Sequence, residues 1–140
     1  MSETNEFQLH PQLRADSLTV GQLPLCDLRL VNDSRFPWCL LIPRIPDITE
    51  LHHLPTAHRQ SMMSEVETLS TYLLENTEAT KINVAALGNM VPQLHIHVIG
   101  RHSQDPAWPN PVWSAGSAEH YKKTNAQALI VALREALISN

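Results

Sequence analysis

Val91-Pro92-Gln93-Leu94-His95-Ile96-His97-Val98-Ile99 alternates polar residues with branched apolar ones. A period of two predicts a β-strand, because successive side chains of a strand point to opposite faces. Gln93, His95 and His97 would share one face, with Leu94, Ile96 and Val98 entering a core on the other. Pro92 has no N–H to give to a ladder, which predicts a place at the strand's start or on an edge. A row of imidazole and amide groups on a stiff strand is suited to attacking or holding an anionic group such as phosphate. For attack, one ring needs its Nδ1–H held by an acceptor such as a backbone carbonyl, which leaves the Nε2 lone pair available.

Upstream, residues 18–23 predict a short strand and residues 26–31 a second. In the second, Cys26, Leu28 and Leu30 face a core and Asp27 and Arg29 face away. Asn32-Asp33-Ser34-Arg35 is turn chemistry. Residues 38–42 are apolar throughout and stop at Pro43, as in a strand buried on both faces. Residues 9–15 allow one or two helical turns, since Pro11 is acceptable near a helix start. Asp47 and Glu50 have capping-box spacing. From 56 to 76, Met62, Val66, Leu69 and Leu73 recur at helical steps, with Glu65, Glu67 and Ser70 between them. Residues 81–87 return to strand, and Gly88-Asn89 turns the chain into the histidine strand. Residues 103–111 are a proline-rich loop. Thr124 and Gln127 then form a second capping box, opening a helix with the stripe Leu129, Ile130, Leu133 and Leu137. Strands, helix, strands and helix in that order predict an α+β domain with an antiparallel sheet.

The 140 residues suit a single domain over 1–140, with a core at about 18–101 followed by a loop and a C-terminal helix. A net charge of −4 argues against a nucleic-acid partner, which requires a basic face. It still permits a small phosphate ligand. Cys26 and Cys39 make no disulfide framework and are expected as buried thiols in a reducing, cytoplasmic compartment. Residues 1–8 are polar and acidic, with no signal-peptide pattern, and no apolar run approaches a membrane span.

Other candidates have plain alternatives. His95 and His97 also fit as two structural histidines, or as two ligands of a metal that would require a third. His52, His53, His58 and His102 are available, but no spacing selects one. Gly88-Asn89 is a turn whose amides and Asn89 side chain also suit a phosphate. Asn32-Asp33 is a turn whose carboxylate also suits ribose hydroxyls. Arg101 reads as a solvated charge more often than as a phosphate clamp. Trp108 and Trp113 suit packing under a loop or against a partner subunit.

The run 88–99, with Arg101 behind it, resembles the signature of the histidine triad (HIT) family, in which three histidines alternate with apolar residues after a glycine-containing loop. Leu30-Val31-Asn32-Asp33 followed by 38–44 resembles the family's ribose-contacting turn and next strand. The resemblance implies a five-stranded antiparallel sheet with two main helices, paired into a ten-stranded sheet in a homodimer. It implies a nucleotide hydrolase or nucleotidyltransferase that works at an α-phosphate through a covalent nucleotidyl-histidine. No cofactor or metal is implied. By position, His95 matches the nucleophile and His97 the third histidine, which contacts phosphate. Asn89 and Asn83 match phosphate-side positions, and Asn32 and Asp33 the ribose turn. Three departures stand out. Gln93 replaces the first histidine, Met90 a serine or threonine that assists the leaving group in some branches, and Trp38 a histidine found in some members. These departures also fit a non-catalytic nucleotide-binding module of the same fold.

Overall fold

All five strands belong to one antiparallel sheet in the order β1-β2-β3-β5-β4. The structure, a computed structural model, describes residues 6–138. The part of the 1–8 reading that falls on residues 1–5 therefore lies outside the described residues. The strands are β1 (Ser17–Gln22), β2 (Cys26–Val31), β3 (Trp38–Pro43), β4 (Lys81–Ala85) and β5 (Ile96–Arg101). Among the described residues, three α-helices accompany them: α1 (Pro11–Asp16), α2 (Thr56–Asn76) and α3 (Lys123–Leu137).

The alternation along each strand divides the core in two. Cys26, Leu28, Leu30, Cys39, Leu41, Ile96 and Val98 form one face. They pack on Met62, Val66, Leu69 and Leu73 of α2 and on Ile130 and Leu133 of α3. The opposite face carries Leu40 and Ile42 under Leu13 of α1, and Trp38 and Ile99 under Ala107 and Val112. Covered on both faces, β3 and β5 are buried at every residue. That is the expected result for an unbroken apolar strand such as β3.

Several long polar side chains are buried against the expectation of a solvated face. Glu65 of α2 accepts hydrogen bonds from the backbone N–H groups of Leu25 (2.7 Å) and Cys26 (3.0 Å), closing the β1–β2 hairpin. Arg29 donates to Ser17 Oγ (2.7 Å) and Thr19 Oγ1 (2.9 Å) across the same hairpin. Neither proposed capping box lies at the start of a helix. Asp47 stands at φ 59°, and the 3-10 turn Leu51–His53 starts at Glu50 without a side-chain cap. Helix α3 starts at Lys123, so Thr124 lies inside its first turn and does not cap it. Leu129, expected on the buried stripe of α3, is 39 % exposed, and Ala126 is buried instead. Helix α1 is capped by the His10 ring, whose Nδ1 accepts from Gln12 N–H (3.0 Å).

Both cysteines are free and buried. Burial pushes the Cys39 thiol up to about 12, and burial together with the nearby Glu65 carboxylate raises Cys26. Neither is a thiolate nucleophile at neutral pH. Among the described residues, no helix is long and apolar enough to cross a membrane.

Candidate active site

The histidine strand begins later than its alternation predicts. Pro92 gives no N–H, and Leu94 N–H donates to Ile48 O (3.0 Å) rather than to a ladder, so pairing starts at Ile96. His97 therefore stands on β5, whereas His95 sits just before it. The Gln93 side chain leaves the histidine row altogether. Its Nε2 donates to Gln8 O (2.8 Å) and its Oε1 accepts from His10 N–H (2.9 Å), which fastens the N-terminal segment. What Gln93 presents to His95 is its main-chain carbonyl, 2.8 Å from the ring Nδ1.

That contact fixes a tautomer. A carbonyl only accepts, so His95 Nδ1 carries the proton and Nε2 keeps its lone pair. His97 is held in the opposite sense. Trp38 Nε1–H donates to His97 Nδ1 at 3.0 Å. An indole N–H only donates, so Nδ1 is the acceptor and the ring proton sits on Nε2. The two rings lie edge to face, 4.9 Å between centroids. One presents a lone pair and its neighbour an N–H.

Burial, reinforced by the adjacent His95, lowers the His97 pKa to about 3. The unfolded chain thus binds a proton here below about pH 6.5 that the folded chain refuses. The consequence is an expected loss of stability as pH falls from about 6.5 towards 3, at up to about 1.4 kcal/mol per pH unit from this group. Urea melts across that window detect the slope, and His97→Asn removes most of it. A slope unchanged by that substitution contradicts the assignment.

Both rings line a cleft of about 600 Å³, within the range of small-molecule sites. Of the expected site residues, the cleft gathers His95, His97, Asn89, Asn32 and Asp33. Gly88, at φ 76°, makes the turn that carries Asn89 to the rim, beside the 93 % exposed Met90. Asn83 is not brought there. Its Oδ1 accepts from Arg101 Nη1 (2.8 Å) on the outer strand pair. Arg101 itself is 1 % exposed and ion-paired with Asp105 (2.7 Å), so it is neither a solvated charge nor part of the cleft lining.

Asn32 and Asp33 reach the cleft with their acceptors already engaged by the returning C-terminal segment. Asn32 Oδ1 accepts from Tyr121 N–H (2.9 Å), and Asp33 Oδ1 from Glu119 N–H (3.4 Å). Arg35 pairs with the Asp33 carboxylate (2.8 Å) and also donates to Ala115 O (2.6 Å). Burial raises the Asp33 pKa, but the Arg35 contact and the backbone donors outweigh it and hold the carboxyl below its ordinary range. A carboxylate offers about four lone-pair sites, so capacity for a ligand hydroxyl remains.

The same segment supplies Trp113, expected to pack under a loop or against a partner, and wall residues that local pattern did not single out: Gly116, Ala118 and His120. Trp113 stands edge-on to both Trp38 (5.7 Å) and His97 (4.9 Å). The signal for Trp38 lay in strand register. Leu40 pairs with His97 and Trp38 with Ile99, which puts Trp38 diagonally across from His97 on one face. Nothing local marks His120.

A second groove of about 610 Å³ runs beside α2, but its one carboxylate, Glu65, is committed to the β1–β2 hairpin. Among the described residues, no three His, Cys, Asp or Glu side chains are grouped to hold a metal ion. His52, His53 and His58 are exposed.

The HIT domain model matches residues 12–104. Three solved structures, each described as a histidine triad protein, superpose closely. The protein from Bradyrhizobium japonicum is 40% identical with a TM-score of 0.91, covering 94% of this chain and 98% of its own. That from Sinorhizobium meliloti 1021 is 40% identical at 0.90, covering 94% and 97%. That from Marinobacter aquaeolei VT8 is 42% identical at 0.91, covering 94% and 96%. No curated protein matches the chain. A family model over most of the chain and near-complete superposition on three such structures lead to one conclusion: the chain belongs to the histidine triad (HIT) family.

Proposed function

We propose that this protein is a nucleotide hydrolase or nucleotidyltransferase acting at an α-phosphate through a covalent intermediate on His95. One observation carries the reading: the Gln93 carbonyl ties up His95 Nδ1 and leaves Nε2 as a lone pair on a ligand-sized cleft. In the first step Nε2 attacks phosphorus and an N–P bond forms. The bond from phosphorus to the leaving group breaks, and that group departs with the electron pair and takes up a proton. In the second step water, or another acceptor hydroxyl, attacks the same phosphorus. The N–P bond breaks, the acceptor's proton is released and the imidazole is regenerated.

The charge that develops on the phosphoryl oxygens needs fixed donors. His97 Nε2–H and Asn89 are assigned to it. Gln93 acts through its main-chain carbonyl, as the group that orients His95. Asn32 and Asp33 are assigned to the ribose hydroxyls, as expected from the resemblance. Asn83, held by Arg101, would reach a phosphate only if that contact were exchanged, and it has no assigned role.

Rapid quenching with a panel of nucleoside phosphoramidates, dinucleoside polyphosphates and nucleotide sugars, followed by mass spectrometry, tests the reading. A nucleotidyl adduct on His95 is the expected result. Nucleotide binding by calorimetry with neither adduct nor product on any of them favours the binding module instead.

The proposed protein works in the cytoplasm as a homodimer. Edge strand β4 has one unpaired side in the isolated chain, and Val84 is 52 % exposed there. Pairing two such edges gives a ten-stranded sheet and removes an aggregation-prone margin. Light scattering at micromolar concentration should return twice the 15.7 kDa chain mass; a monomer contradicts the dimer alone.

A further inference from the structure

Among the described residues, the Trp38 indole N–H has one hydrogen-bond partner, the ring of His97. Trp38 is buried in β3, and its indole N–H meets His97 Nδ1 at 3.0 Å. The rest of its ring packs on Phe36 (6.3 Å, edge to face) and Trp113 (5.7 Å). We infer that Trp38 is a positioning residue that locks His97 as the Nε2–H tautomer and so aims a hydrogen-bond donor, not a lone pair, at the phosphate. The inference deepens the functional reading above and rests on it for its catalytic consequence.

The physics is that of two adjacent imidazoles with opposite tasks. A neutral imidazole in solution exchanges its proton between Nδ1 and Nε2, so an unheld His97 would present a lone pair to the anion for part of the time. A lone pair facing a phosphoryl oxygen repels it. His95 needs the reverse arrangement, and the Gln93 carbonyl provides it. A carbonyl could not serve His97, because it would draw the proton to Nδ1. A strong donor is required there, and the donor must be one that never accepts. Of the side chains that fit an apolar site, indole is the one that meets both conditions. A histidine at position 38 could meet His97 as donor or acceptor, according to its own tautomer. Tryptophan removes that choice.

Geometry keeps the lock in register. Trp38 and His97 lie on neighbouring strands, diagonal on one face, with the backbone ladder on either side. Trp113 stands at right angles to both rings, 4.9 Å from His97, and closes the space into which the imidazole would rotate. An imidazolium at this position would point a proton at the indole N–H. The lock therefore also keeps His97 neutral, in accord with its burial.

Two variants of the full chain test this. Trp38→Phe removes the N–H but also volume. Replacing Trp38 with benzothienylalanine by codon suppression removes the N–H and keeps the ring system. The readouts are the ring ¹⁵N signals of His97 from two-bond ¹H–¹⁵N correlation, and kcat and KM on the best substrate of the panel above. In the natural protein, Nδ1 should resonate as a lone-pair nitrogen and Nε2 as N–H. In the isosteric variant the Nδ1–H form should appear, with kcat lower by about tenfold to a hundredfold, since one donor to the transition state is lost for part of the population, and KM changed less. Natural protein already in the Nδ1–H form, or an isosteric variant with unchanged tautomer and unchanged kcat, overturns the inference. The tautomer readout needs no substrate. If the natural protein turns over nothing and the tautomer still shifts in the variant, the lock stands and the enzymatic reading fails.

Discussion

Alanine in place of His95 should abolish turnover and leave the fold standing. The imidazole is the one group in the cleft with a lone pair fixed toward a ligand. The Gln93 carbonyl, 2.8 Å from Nδ1, provides the orientation; neither cysteine is a thiolate, and the other imidazole on the wall, His120, is exposed with no hydrogen bond among the described residues to aim it. Without a nucleophile the stepwise route closes. What remains is the modest acceleration that the cleft's donors give to direct attack by water, so the expected loss in kcat is at least about a thousandfold, by analogy with other nucleophile deletions. Stability should change little. The substitution deletes one hydrogen bond, worth about 0.5–1.5 kcal/mol. It leaves Leu94 and Ile96 packed in the main core. A urea melt and a progress curve on an adenosine phosphoramidate measure both quantities on one preparation. His97→Ala provides the contrast. It removes a donor and not the nucleophile, so it should slow the reaction without preventing adduct formation on His95. Full activity in the His95 variant would exclude the covalent mechanism.

The sheet and the histidine pair were legible because alternation is a local signal. Leu94, Ile96 and Val98 enter the core as a period of two requires, and α2 occupies the residues its 3–4 spacing marks. Contacts made far along the chain were not legible. Gln93 is drawn from its expected face by Gln8 and His10, more than 80 residues away. Glu65 and Arg101 look like solvent-facing charges until their partners are known. The segment that closes the cleft returns to Asn32 from Tyr121, 89 residues on. No periodicity encodes such a return. The two capping boxes fail for a milder reason. Their spacing recurs by chance in polar stretches, and each helix found another start. Legibility thus decreases with sequence separation, and the wall of the cleft depends on contacts between residues more than 80 positions apart.

Of the side chains outside the cleft, Arg101 should give the largest loss of stability. Its guanidinium is buried, with Nε 2.7 Å and Nη2 3.0 Å from the two oxygens of Asp105. It also donates to Asn83 Oδ1 (2.8 Å) and Asn110 O (2.8 Å), and lies 5.6 Å from the Phe36 ring centroid and 5.7 Å from that of Trp108. Burial raises the Asp105 pKa, but Arg101 and the N–H groups of Ala107, His102 and Trp108 outweigh it and hold the carboxyl at about 2. Arg101→Met keeps most of the volume and leaves that carboxylate buried without its cation. Breaking a buried pair in this way costs about 3–5 kcal/mol, roughly 10–15 °C in Tm for a chain of this size. Asp105→Asn alone should cost less, because the amide oxygen still accepts from the backbone. Combining the two should recover part of the loss, since no charge is then left buried. That sign of coupling in a double-mutant cycle separates a charge effect from a packing effect. The substitution should also reach the cleft. Arg101 anchors Asp105 and Asn110, which hold the loop leading to Val112 and Trp113, so a loosened loop withdraws the ring that packs on His97. The expected kinetic signature is a raised KM and a lowered kcat below the melting transition. A variant that melts within about 2 °C of the natural protein would mean that the pair contributes almost nothing, contrary to the usual cost of an orphaned buried charge.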